Sequence, residues 1–293
     1  MRFRPVLISV VMVGLLASCG DSEVTSDASA TTGAGPTTTA AGALPKPEVK
    51  IPAEIPTELV TTDLTDGTGT AATDGDTVIV HYVGVRSVDG TEFDNSFERG
   101  QPLPVTLGTG SVIKGWDQGL VGAKQGGRRQ LDVPADLAYG DTPRGDIIQP
   151  GDALTFVIDV VAVIPKADPA DAPVISVPPT PNQDEQTFVD LIVGDGAGIE
   201  PGQTVAVQLV AFSAADGAQL DSSWEAGGTP LTFVPGGGQL PPGLERAVDG
   251  MKVGGRRQVD IPFADAFGAD GNPGLGLPGS TDLIIVLDLV AVY

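Results

Sequence analysis

Residue types that carry most enzyme chemistry are scarce in this 293-residue chain. There is one cysteine, Cys19, and one histidine, His81, which excludes an intrachain disulfide, a cysteine-based metal site and a histidine cluster. The chain also has 14 aromatic residues and 38 carboxylates, and the motifs quoted below single out six of these as candidates: Tyr82, Phe93, Asp94, Trp116, Tyr139 and Phe156. They favour chemistry that needs neither a nucleophile nor an acid–base pair. Taken singly, each is an ordinary core or surface residue. The strands and helices that position these residues therefore decide whether they form a site.

The position of Cys19 near the N-terminus indicates a separate role for this residue, as a site of lipid attachment. A basic head with Arg2 and Arg4 precedes an apolar run over residues 6–16, which is shorter than the ~20 residues that span a bilayer. The residues LASC at 16–19 resemble a bacterial lipobox, whose cysteine receives lipid. The sequence therefore predicts a lipoprotein signal peptide at 1–18 and a protein held by lipid on Cys19 at the outer face of the cell membrane. A buried structural cysteine is the alternative.

Charge and composition narrow the class of protein. The net charge of -22 and the pI of about 4.1 argue against nucleic acid as a partner. Residues 19–55 are rich in Thr, Ala, Gly, Ser and Pro, and they lack the apolar surface that would offset the entropy of ordering. These residues predict a disordered tether.

An internal repeat divides the remainder of the chain. The residues GGRRQ occur at 126–130 and again at 254–258, and further matches occur at offsets of 127 to 129. The repeat predicts one domain at 56–164 and a second at 184–293. The proline-rich residues 165–183 predict a semi-extended linker.

Each repeat has mostly the pattern of strands. Residues 77–83 and 154–163 are long β-branched runs, and 128–133 alternate polar with apolar. One short helix is predicted at 112–121, with Ser111 as its cap. Strands around one amphipathic helix indicate an α+β domain with an antiparallel sheet curled around the helix.

Six motifs of the first repeat carry a family resemblance. They are VHYVG at 80–84, FD at 93–94, VIKGW at 112–116, AYG at 138–140, II at 147–148 and LTF at 154–156. In order and spacing they resemble the FKBP-type peptidyl-prolyl cis-trans isomerases. The resemblance implies two tandem FKBP-like domains and a pocket for a proline ring, with no cofactor and no metal. It also implies that unfolded or partly folded exported chains with X–Pro bonds are the substrates, and that a macrolide such as tacrolimus or rapamycin binds the first domain.

Roles are implied position by position. Trp116 would be the pocket floor, with Asp94 facing the peptide, and Tyr139 and the Ile113 amide donating hydrogen bonds to substrate carbonyls. The other implied wall and rim residues are Tyr82, Phe93, Arg99, Val112, Ile147, Ile148 and Phe156. Leu103 stands where the family usually has an aromatic, and Ser111 where it often has Glu, which predicts altered preference. His81 is assigned no role, because strand alternation points it away from Tyr82.

The second repeat has different residues at these positions. Alignment places Leu209, Leu220, Pro241, Leu244, Phe267 and Ile285 where the first has Tyr82, Phe93, Ile113, Trp116, Tyr139 and Phe156. Proline has no amide hydrogen to donate and phenylalanine has no hydroxyl. The second domain is therefore predicted to keep the fold with little or no isomerase activity.

Two alternatives remain at this point. One is a non-catalytic lipoprotein that uses both domains to dock a peptide or protein. The other is an all-β adhesin, which would leave residues 112–121 without an explanation.

Overall fold

A computed structural model describes residues 45–173, 183–225 and 228–293. The predicted signal peptide, Cys19, most of the predicted tether and linker residues 174–182 lie outside the described residues. Within those ranges, no helix has both the length and the apolar character needed to cross a membrane.

The first repeat folds into a six-stranded antiparallel sheet and one short helix. The strands are β1 (Val60–Thr65), β2 (Thr77–Arg86), β3 (Glu92–Asn95), β4 (Leu103–Thr106), β5 (Arg128–Val133) and β6 (Leu154–Ile164), and the helix is α1 (Lys114–Gly119). The strand order is β1-β5-β6-β2-β3, with β4 also paired to β2. Trp116 and Leu120 pack from the helix side into the same core as Leu131 and Ile158.

The second repeat builds the same domain. Its strands are β7 (Thr187–Ile192), β8 (Val205–Ser213), β9 (Gln219–Ser222), β10 (Leu231–Phe233), β11 (Arg256–Ile261) and β12 (Leu283–Val292), and its helix is α2 (Pro242–Arg246). The order β10-β8-β12-β11-β7, with β9 paired to β8, repeats the first sheet. The predicted α+β fold of two tandem domains is confirmed, and the helices exclude the all-β adhesin.

The helix predicted at 112–121 is shorter than expected, and the capping prediction was wrong. The helix begins at Lys114, and its N-cap is Ile113, which makes no side-chain capping bond. The Ser111 hydroxyl accepts a hydrogen bond from Thr109 instead. The carboxylate of Asp117 ties down the preceding turn, because it accepts the amides of Gly108 and Gly110 at 3.1 and 3.0 Å.

Glycine inside the helix lets it approach the sheet closely. A Cβ at Gly115 would clash with Val133 of β5, and a Cβ at Gly243 would clash with Ile261 of β11. In both domains, therefore, the helix lies close to its sheet.

The repeated arginines fasten each helix to its sheet. Arg129 is buried and donates to the carbonyls of Gly119 and Val121 at 2.9 and 3.0 Å, and it forms an ion pair with Asp63 at 2.6 Å. Arg257 makes the equivalent bonds in the second domain, where its carboxylate partner is Asp190 at 2.6 Å. These partners explain why the second arginine of GGRRQ recurs.

Chain segments before each sheet lie against the outer face of that sheet. Lys46, within the predicted tether, forms an ion pair with Glu92 at 2.9 Å, and Arg128 donates to the carbonyl of Pro45. In the second domain Arg256 donates to the carbonyl of Asp171, within the predicted linker. Residues 45–55 contain no helix or strand.

The described residues of both domains belong to one compact unit, and a small apolar cluster joins them. Its buried members are Ile79, Ala162, Ile164, Ala206 and Ala291. By the repeat, Ala206 is the equivalent of Ile79 and Ala291 the equivalent of Ala162. The same surface patch of each domain therefore forms the contact.

Candidate active site

Four aromatic rings of the first domain form a chain of edge-to-face contacts. Tyr82 of β2 meets Trp116 of α1 at a centroid distance of 5.1 Å, and Trp116 meets Phe156 of β6 at 5.3 Å. Phe93 of β3 meets Phe156 at 5.7 Å. The interplanar angles lie between 84° and 87°. Edge-to-face pairs are worth about 0.5–1.5 kcal/mol beyond buried area, so the rings hold one another in fixed orientations.

Gly84 makes room for two of these rings. A Cβ at this position would lie 2.8 Å from Cζ of Phe93 and 2.9 Å from Cε1 of Phe156. The strand register places Gly84 opposite Phe156 on β6 and opposite Asp94 on β3. Sequence reasoning quoted this glycine within VHYVG but gave it no role, and only its difference from Ala211 in the second repeat could have shown one.

A polar triangle closes one side of the aromatic group. The Tyr82 hydroxyl donates to Asp94, and Arg99 donates to Asp94 at 2.5 Å and to the Tyr82 hydroxyl at 2.7 Å. Burial, followed by the bond to Asp94, raises the pKa of Tyr82 to about 12, while Arg99 acts in the opposite direction. Tyr82 is therefore neutral at physiological pH, with its hydroxyl held by the triangle.

A cleft of about 520 Å³ opens beside Phe93 and Asp94. Its other lining residues are Tyr139, Arg144, Gly145, Asp146, Ile147 and Ile148. The Arg144 guanidinium lies 4.9 Å from the centroid of the Tyr139 ring. The sequence motifs did not indicate Arg144, because its approach to Tyr139 depends on the fold of the loop before Ile147.

Two predicted donors are free to bind a ligand. The Tyr139 hydroxyl and the Ile113 amide make no hydrogen bond within the described part of the chain. Tyr139 is half-buried, and Ile113 lies at the N-terminal end of α1. Both also pack against the core that contains Trp116.

The remaining predicted residues surround the same region. Val112 and Leu103 are partly buried against the core of the first domain, and Ile148 is buried within it. Ile147 is exposed at the rim of the cleft, and Arg99 is half exposed. His81 lies elsewhere, with Nδ1 2.9 Å from the Ser96 hydroxyl and its ring stacked on Phe97.

One polar atom of Trp116, the residue predicted to be the pocket floor, has no partner among the described residues. The indole Nε1 of Trp116 is buried and makes no hydrogen bond to any described residue. Such a donor costs about 1–3 kcal/mol, a cost that recurs at functional sites. No group of acidic, cysteine or histidine residues able to hold a metal ion occurs in the described ranges.

The second domain places different side chains on the same backbone. Leu209 pairs with Leu287 where Tyr82 pairs with Ile158, and Ile285 pairs with Ala211 where Phe156 pairs with Gly84. Pro241 is the N-cap of α2, as Ile113 is of α1. These registers support the alignment of the repeats. Leu209, Leu220, Leu244 and Phe267 are partly buried against the second core, without an aromatic chain among the described residues.

Comparison with known proteins gives matches across both domains. The family model for FKBP-type peptidyl-prolyl cis-trans isomerase matches residues 68–161 and 196–290. An FK506-binding protein of Streptomyces anulatus is 54% identical over 120 residues, which are 40% of this chain and 97% of that protein. An FK506-binding protein of Neisseria meningitidis serogroup C is 44% identical over 105 residues, covering 36% of this chain and 95% of its own. Human peptidyl-prolyl cis-trans isomerase FKBP10 is 35% identical over 217 residues, which are 74% of this chain and 34% of that protein.

Proposed function

The chain belongs to the FKBP-type peptidyl-prolyl cis-trans isomerases, and we propose that its first domain carries the isomerase activity while its second domain is inactive. The observation that carries this division is the chain of four aromatic rings beside two unused hydrogen-bond donors, Tyr139 and the Ile113 amide. The second domain has leucine, isoleucine, phenylalanine and proline at the corresponding positions.

Isomerisation requires only a modest lowering of the rotation barrier by such a site. Rotation about a peptide bond meets a barrier of ~18–20 kcal/mol because twisting destroys the amide resonance. Spontaneous X–Pro isomerisation takes roughly 10–100 s, so a turnover of ~1–10³ s⁻¹ requires a barrier lowered by about 1.4–7 kcal/mol. No covalent bond breaks, which fits a site without a nucleophile.

Differential binding supplies this reduction. The planar amide is strongly polar and prefers water, while the twisted amide is less polar because charge returns to nitrogen. An apolar pocket walled by Phe93, with Phe156 and Trp116 packed in sequence behind that ring, therefore favours the twisted form over the planar one. The rings keep their orientation without substrate, so little binding energy is lost to reorganisation.

The polar groups of the site hold the parts of the peptide that must not rotate. Tyr139 and the Ile113 amide donate to the carbonyls that flank the prolyl bond, so the two ends of the peptide stay fixed while the bond rotates. The triangle of Tyr82, Asp94 and Arg99 keeps the wall of the pocket in place. The Asp94 carboxylate faces the bound peptide.

The substrates and location follow from the predicted export signal. With lipid on Cys19, the protein acts at the outer face of the cell membrane on exported chains that are unfolded or partly folded. The names of the Streptomyces and Neisseria relatives state that they bind FK506. Tacrolimus or rapamycin therefore binds the first domain of this chain and not the second.

A proline-containing tetrapeptide tests the proposal with the full chain. Wild-type protein catalyses its isomerisation, and the double variant Trp116→Leu/Tyr139→Phe, which copies the second domain, falls to the uncatalysed rate. The matched control is Phe267→Leu in the second domain, which retains the wild-type rate. Wild-type turnover by the double variant, or loss of turnover in the control, would refute the assignment to the first domain.

A further inference from the structure

The edge strand β7 of the second domain exposes apolar side chains on both faces. Phe188 and Val189 are 58% and 61% exposed, Ile192 is 52% exposed, and Val193, just after the strand, is 82% exposed. In the described structure β7 pairs only with β11, so its outer edge presents unpaired backbone groups. An exposed edge of this kind is a template for another strand.

The equivalent edge of the first domain, β1, exposes fewer apolar side chains, namely Val60 and Leu64, so the fold does not require all of those on β7. Asp63 and Asp190 occupy the same place, because each forms an ion pair with the repeated buried arginine. Counting from them, Thr61, Thr62, Thr65 and Asp66 correspond to Phe188, Val189, Ile192 and Val193. All four positions are apolar in the second domain only.

A hollow adjoins this edge in each domain. The hollow of the second domain is larger and has apolar residues where that of the first has polar ones. Beside β1 its volume is about 60 Å³, and the lining includes Thr65 and Asp66. Beside β7 its volume is about 130 Å³, and the lining includes Ile192, Val193 and Met251. The second hollow is large enough to take part of an apolar side chain next to an added strand.

Charge and backbone chemistry decide between possible occupants. Lipid is excluded, because it leaves unpaired strand amides and carbonyls without partners. A second copy carries the same net charge of -22, which opposes self-association. Of the three charged residues that line the β7 hollow, Asp190 and Arg257 form an ion pair with each other, and Lys252 is the third. Residues 174–182 contain three prolines, which lack the amide hydrogens that a strand ladder needs.

We propose that β7 and its hollow, together the β7 edge, bind an extended apolar segment of a client polypeptide by strand addition. Backbone hydrogen bonds supply affinity that does not depend on sequence, and the exposed side chains select apolar neighbours. The inference rests on the proposed function, since an unfolded client offers both a prolyl bond and such segments. The second domain then holds the client while the first isomerises it.

A labelled peptide without proline separates this edge from the prolyl pocket. The probe is a fluorescein-labelled ten-residue peptide that alternates valine with threonine, and its binding to the full chain is followed by anisotropy. The variant Phe188→Thr/Val189→Thr/Ile192→Thr/Val193→Asp gives β7 the residues of β1. We expect it to weaken peptide binding at least tenfold, while the amides of β7 in the wild-type chain become protected from hydrogen exchange when peptide binds.

The matched control is Val60→Thr/Leu64→Thr on β1, which leaves peptide affinity unchanged. Circular dichroism checks that each variant is folded. Equal affinity of the β7 variant and wild type overturns the proposal, as does a wild-type chain that fails to bind the peptide. So does sedimentation that shows a dimer which the β7 variant abolishes. Peptide binding by a chain that does not isomerise a prolyl tetrapeptide would leave this inference standing and refute the proposed function alone.

Discussion

The two domains share a backbone and differ in what they place on it. Strand order, the glycine at the helix–sheet contact and the arginine that bonds to the helix carbonyls all occur twice. Among the described residues, the aromatic chain and the open donors occur only in the first domain. The positions that build this fold are therefore separable from the positions proposed to act on substrate, and one domain serves as the control for the other.

The largest effect is expected from removing the residue at the centre of the aromatic chain. Trp116→Leu copies Leu244 and removes the ring that touches both Tyr82 and Phe156. We expect kcat/KM for a prolyl tetrapeptide to fall about 100-fold, which corresponds to ~2.7 kcal/mol of transition-state stabilisation. The matched change Leu244→Ala should leave kcat/KM unaltered. An equal loss of kcat/KM in both variants would contradict the proposed difference between the two domains.

A smaller effect is expected from Gly84, and it compares the packing against β2 with the packing against β8. Gly84→Ala copies Ala211 but pushes a methyl group against Phe93 and Phe156. We expect the free energy of unfolding of the first domain to fall by about 1–3 kcal/mol, the usual cost of overpacking. Ala211→Gly should cost only ~0.5–1 kcal/mol, through backbone entropy. Urea unfolding measures both, and equal costs would contradict the packing role of Gly84.

The hydroxyl of Tyr139 offers a finer test. Tyr139→Phe copies Phe267 and removes one neutral hydrogen bond to substrate, worth about 0.5–1.5 kcal/mol. We expect kcat/KM to fall up to about tenfold while the thermal midpoint stays the same, because the hydroxyl has no partner in the described residues. The reverse change, Phe267→Tyr, should create no activity, since the described residues of the second domain contain no chain of aromatic rings. Activity gained there would show that the floor is dispensable.

The smallest effect concerns alkaline pH. The pKa of Tyr82 is about 12 in the folded chain because of burial and then Asp94, against 10.0 for an ordinary tyrosine. Between these values the unfolded chain loses the Tyr82 proton while the folded chain keeps it, so stability falls as pH rises from 10 to 12. Tyr82→Phe should make this decline shallower in thermal melts. An unchanged slope would show that Tyr82 does not contribute.

Local patterns predicted the strands well because strand residues alternate or form β-branched runs. β5 has the bounds predicted for 128–133, and β6 ends one residue beyond the prediction. The helix ends were wrong because the first turn is fixed by Asp117 and by the fit of Gly115 against Val133, which are contacts that spacing does not show. The motif residues do lie around one region, but the triangle of Tyr82, Asp94 and Arg99 depends on three segments meeting. The position of Arg144 over Tyr139 likewise depends on a loop.

The cluster that joins the domains uses corresponding positions of the two repeats, Ile79 and Ala162 from the first and their counterparts Ala206 and Ala291 from the second. Fusing two copies turns a concentration-dependent association into an intramolecular one, with an effective concentration in the ~mM range. The contact between the two domains therefore does not depend on the protein concentration.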